Sequence, residues 1–103
     1  MHSAIIVKSR DIAHVCREYG VRRLEIFGSA ARGVDFDAGR SDVDFLVEFS
    51  KGNPMDPLDE FMGLQSALSD VLGCKVDLVE TGALRNPYLL ATVDRDRQLV
   101  YSA

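Results

Sequence analysis

The stretch Ser41-Asp42-Val43-Asp44-Phe45-Leu46-Val47-Glu48-Phe49 alternates with a period of two. Val43, Phe45, Val47 and Phe49 fall on one side of an extended chain, and Asp42, Asp44, Leu46 and Glu48 on the other. That is the pattern of a strand from Asp42 to Phe49 with one face on a core. Asp42 and Asp44 then point the same way, about 6 to 7 Å apart along the strand. Like charges that close repel, and the arrangement costs stability unless a cation lies between them.

Working outward, the segment before this strand begins with a helix. Ile12, Val15, Cys16 and Tyr19 follow the i, i+3, i+4, i+7 spacing, and Gly20 supplies the stop. Val21 to Phe27 reads as a strand that runs into Gly28-Ser29. Ser29 to Arg32 reads as one helical turn, and Gly33 to Arg40 as a polar loop. Downstream, Asp56 caps a helix with Pro57 at its first position; Leu58, Phe61, Met62, Leu68, Val71 and Leu72 are expected along its buried side, and Gly73 ends it. Lys75 to Glu80 is a third strand, Asn86-Pro87 opens a last helix to about Val93, and Gln98 to Tyr101 forms a short edge strand. The order of elements predicts one α+β domain over 1–103, a mixed sheet flanked by helices.

Composition agrees with that scale. The chain has 103 residues, 47% hydrophobic and 27% charged, with 12 Lys plus Arg against 16 Asp plus Glu and a net charge of −4. The acidic balance argues against direct nucleic-acid binding through bulk charge, which needs Lys and Arg to displace counterions. A small polyanion held through metal stays compatible with it. No apolar run approaches the ~20 residues of a membrane span. Met1-His2-Ser3 opens no secretory leader, which gives a cytoplasmic address as the expectation. Cys16 and Cys74 have no paired spacing and read as structural thiols.

Two constellations carry chemistry. In the first, hard oxygen ligands with no His or Cys nearby favour Mg²⁺ or Mn²⁺ over zinc. Asp77 sits on a later strand between Val76 and Leu78, and completes a three-carboxylate cluster if that strand neighbours the Asp42 strand. The plainer alternative has Asp42 capping its strand, with Asp44 and Asp77 at ordinary exposed positions. In the second, Gly28-Ser29 follows a strand and opens a helical turn, which aims backbone N–H groups at an anion. Gly28 permits close approach, Ser29 offers a hydroxyl and Arg32 a cation. Its plainer alternative is a tight turn with Ser29 as a helix cap.

Taken in order, Gly28-Ser29-Ala30-Ala31-Arg32-Gly33, Ser41-Asp42-Val43-Asp44 and Val76-Asp77-Leu78-Val79 resemble the signature of the nucleotidyltransferase superfamily with a DNA polymerase beta-like fold. Within it the chain resembles the minimal nucleotidyltransferases (MNT), and Asn86-Pro87-Tyr88 before a final helix and strand is similar to the antitoxin of HEPN/MNT toxin–antitoxin systems. The resemblance runs from about Val21 to Tyr101. It implies transfer of AMP from ATP to a hydroxyl, with a tyrosine of a HEPN-type toxin from the neighbouring gene as acceptor. It further implies Asp42, Asp44 and Asp77 as catalytic and metal-binding residues for Mg²⁺ or Mn²⁺, with Gly28, Ser29, Arg32 and Ser41 on the nucleotide. Two other functions fit the same fold: a non-catalytic module that masks the toxin, and a small-molecule nucleotidyltransferase of the aminoglycoside type. Arg10 and His14 stand too close for the Arg-to-His motif of the HEPN ribonuclease, so the chain resembles the antitoxin, not the toxin. His14, Arg22, Arg23 and the alternating Asp94 to Arg97 read as solvated surface.

Overall fold

The computed structural model describes residues 3–28, 43–81 and 97–103. The short helix expected at Ser29 to Arg32, the loop to Arg40 and the helix expected at Asn86 to Val93 lie outside these residues.

Helix α1 (Ser3–Val7) leads into α2 (Ser9–Glu18), which ends at Tyr19 with Gly20 in the left-handed region at φ 69°. Strand β1 (Val21–Phe27) follows, then β2 (Val43–Phe49), helix α3 (Pro57–Leu72), β3 (Val76–Glu80) and β4 (Gln98–Ser102). The start and stop of α3 follow the local chemistry of its ends. Asp56 Oδ1 accepts from the Leu58 N–H at 2.9 Å, Pro57 occupies the first turn where no N–H is needed, and Gly73 closes the helix at φ 68° with its N–H donating to the Ser69 carbonyl.

The four strands form one sheet in the order β3-β2-β1-β4. β1 pairs antiparallel with β2 and with β4, whereas β2 and β3 run parallel and are joined through α3, the kind of crossover that parallel neighbours require. The sheet is therefore mixed, as expected. At its outer side, Gln65 Nε2 donates to the Val76 carbonyl at 2.9 Å, and Ser69 Oγ to the Cys74 carbonyl at 2.6 Å.

One face of the sheet is apolar and covered by helices. Leu24, Ile26, Phe45, Val47, Val76 and Leu78 bury against Ile12, Val15 and Cys16 of α2, Leu64 and Leu68 of α3, and Ile5 of α1. Burial pushes the Cys16 thiol up to about 12, so it stays protonated and inert at neutral pH. Cys74 is half-buried and packs against the same core.

Two expectations need correction. Leu58 and Met62 are 66% and 55% exposed; Leu68 is buried as expected, joined by Leu64, which the reading did not name, with Phe61, Val71 and Leu72 at the margins. The reason is helical phase: Leu58 and Met62 lie four apart on a neighbouring stripe, which the sheet does not reach. Helix α1 was not signalled by any apolar period, because it has five residues and, among its described side chains, only Ile5 reaches the core. Among the described residues no helix is long and apolar enough to cross a membrane.

Candidate active site

The opposite face of the sheet carries acids. Alternation along β2 turns Val43, Phe45 and Val47 to the core and leaves Asp44 half-buried on the other side. The same alternation along β3 buries Val76 and Leu78 and leaves Asp77 half-buried. Which acids meet is then decided by register. β2 and β3 pair Val43 with Val76, Asp44 with Asp77 and Phe45 with Leu78. Asp44 and Asp77 are thus direct cross-strand neighbours on one face, about 4.8 Å apart from strand to strand.

On its other side Asp44 faces the end of β1, where Phe27 is its register partner. Gly28 comes next, at φ 74°, and a Cβ there would stand 2.7 Å from Asp44 Oδ2. Any side chain at 28 would meet both a disfavoured backbone conformation and the Asp44 carboxylate. The glycine turn and the aspartate strand, separate motifs in the sequence, are in contact.

The structure brings Gly28, Asp44 and Asp77 together. Asp42, Ser29, Arg32 and Ser41 lie outside the described residues. Among the described residues no group of three His, Cys, Asp or Glu side chains is placed to hold a metal ion. The pair that is described has the donor chemistry of a hard cation: two carboxylates side by side, oxygen only, each flanked in its strand by buried apolar residues that fix it. These residues fit Mg²⁺ or Mn²⁺.

One buried acid on this face, and the ion pairs it makes, escaped the sequence reading. Glu25 of β1 is 6% exposed and pairs across the sheet with Leu46 on one side and Leu99 on the other. Its Oε1 lies 3.2 Å from Arg23 Nε and its Oε2 2.9 Å from Arg97 Nε. Arg23 and Arg97 are exposed, as expected, and both are ion-paired to this buried carboxylate. The signal was available for Glu25, an acid between the apolar Leu24 and Ile26, as Asp44 is between Val43 and Phe45. A groove of about 380 Å³ lies elsewhere, at the α3–β3 seam, lined by Met62, Gln65, Ser69 and Lys75 among others and by none of the expected site residues.

The chain matches the family described as nucleotidyltransferase domain over residues 10–100. It is 44% identical over 84 residues, 82% of this chain and 79% of the relative, to a provisionally named protein adenylyltransferase of Methanocaldococcus jannaschii. Among solved structures, one described provisionally as a minimal nucleotidyltransferase superposes with a TM-score of 0.74 at 31% identity, covering 95% of each chain. A tri-AMPylated HEPN toxin of Shewanella oneidensis in complex with its MNT antitoxin gives a TM-score of 0.64 at 18% identity, covering 96% of this chain and 73% of that one, which is a likeness of fold.

Proposed function

The chain belongs to the nucleotidyltransferase domain family, and on that premise we propose that it is a protein adenylyltransferase acting as an antitoxin. It moves AMP from ATP to a tyrosine hydroxyl of a HEPN-type toxin made by the neighbouring gene, in the cytoplasm. The supporting observation is the register that sets Asp44 beside Asp77 with Gly28 against the Asp44 carboxylate.

In the reaction the acceptor oxygen attacks the α-phosphorus of ATP, the bond to the β-phosphate oxygen breaks, and pyrophosphate leaves. Asp42, Asp44 and Asp77 would hold Mg²⁺ or Mn²⁺, which when bound neutralises the triphosphate and the developing charge. Gly28, having no side chain, lets the polyphosphate approach the backbone at the end of β1, with Ser29, Ser41 and Arg32 supplying a hydroxyl each and a cation. Asp77, on β3 at the end of the strand order, accepts the proton of the attacking hydroxyl. The remainder is positioning by strands whose opposite side is locked in the core.

Incubation with labelled ATP, Mg²⁺ and the neighbouring gene's product is expected to label that product. Asp44→Asn is expected to reduce the rate by about 10³-fold, the order that follows from losing several kcal/mol of charge stabilisation. Equal labelling by both chains would overturn the assignment.

A further inference from the structure

Arg97 immediately precedes β4. Gln98 pairs with Ile26 and Leu99 with Glu25, so the next step along the antiparallel ladder brings position 97 level with Phe27. Phe27 pairs in turn with Asp44, and Asp44 with Asp77. Residues 97, 27, 44 and 77 therefore form one row across the four strands. Position 97 stands two strands from Asp44, on the order of 10 Å. The side chain of Arg97 lies on the acidic face, because its Nε meets Glu25 Oε2 and Glu25 shares that face with Leu46 and Leu99.

The charges of this face are segregated. Among the described residues, the β2–β3 side carries Asp44, Asp77 and Glu48, the last 3.8 Å from Arg22, and the β1–β4 side has one buried carboxylate between two arginines. Glu25 is held by two arginines, Arg23 Nε at 3.2 Å and Arg97 Nε at 2.9 Å, so the carboxylate orients the Arg97 guanidinium on this face. β4 is in any case held to β1 by its backbone ladder. Glu25, 8% exposed in its side chain, fixes a guanidinium whose own side chain is 34% exposed. A planar guanidinium so oriented suits phosphate oxygens.

We propose that Arg97 is a nucleotide-binding residue that grips the polyphosphate of the substrate from the β1–β4 side, and that Glu25 is its positioning residue. The proposal rests on the nucleotidyl-transfer reading above and adds the group that opposes the carboxylate pair. A nucleoside triphosphate laid along the row has its metal-binding oxygens toward Asp44 and its remaining charge toward Arg97, in a chain whose overall charge is −4.

Equilibrium dialysis of labelled ATP and labelled AMP, each with Mg²⁺, against the full chain tests this. Arg97→Gln is expected to weaken ATP binding about 10-fold, the order of one charge-assisted hydrogen bond, and AMP binding less than about twofold. Glu25→Gln is expected to lower the ATP-to-AMP affinity ratio about threefold, and Arg97→Lys to lie between wild type and Arg97→Gln. An Arg97→Gln chain with native melting and an unchanged ratio would overturn the proposal. A measurement on the wild type guards against a variant that fails to fold: phenylglyoxal modification of Arg97, followed by mass spectrometry, should be blocked severalfold more by inorganic tripolyphosphate than by AMP. Equal protection would overturn it too. A wild-type chain that binds neither nucleotide, or whose transfer survives Asp44→Asn, brings down the underlying reading. One that binds ATP, depends on Asp44 and ignores Arg97 brings down this inference alone.

Discussion

The two faces of the sheet are made by the same strands and share almost nothing else. On the helix side, Ile26, Phe45 and Leu78 meet in one cross-strand row and are buried; one residue along, on the opposite side, Phe27, Asp44 and Asp77 meet in the next. The first row contributes stability through apolar area removed from water, the second concentrates like charge, which opposes folding. Strand geometry thus lets a site that is unfavourable for folding be held rigid by the core a few ångströms behind it.

Three measurements bear on this division. The largest effect is expected on the helix side: Phe45→Ala should lower unfolding free energy by about 3–5 kcal/mol in urea titration, since it empties the middle of the core. A loss below about 1 kcal/mol would mean that the helices do not hold the face as packed. Intermediate is Gly28→Ala, where the two faces' demands meet at the end of β1. Left-handed strain should cost about 1–2 kcal/mol, and the displaced Asp44 carboxylate should slow AMP transfer out of proportion to that loss. Retained transfer would separate Gly28 from the site. The smallest change in stability belongs to Asp77→Asn: melting at low salt should be unchanged or raised by up to about 1 kcal/mol, because a like-charge neighbour is removed, while transfer is lost. Destabilisation by several kcal/mol would make Asp77 part of the scaffold and break the comparison.

Much of the fold was legible because local chemistry decided it. The bounds of β1, the Asp56-Pro57 start and Gly73 stop of α3, and the alternation of β2 could be read directly. Phase errors arose where an apolar residue stood on the shoulder of a helix, as at Leu58 and Met62: periodicity marks a stripe but not which side of it the sheet will touch. For the site, the period of two identified the acids, whereas their encounter depended on the parallel register of β2 and β3, which the crossover through α3 sets and no local signal encodes. The pairing of Glu25 with Arg97 was missed for a similar reason. They come from distant parts of the sequence and are joined only by the β1–β4 pairing, so each looked like an ordinary surface charge.

The amide of Gln65, folded back onto the Val76 carbonyl, has a consequence for how the molecule behaves in company. A sheet's border is where stray extended chains from other molecules tend to zip on, and here the first acceptor they would seek is already taken by the protein's own helix. One outward acceptor of β3 is thereby withdrawn from pairing with extended chains of other copies.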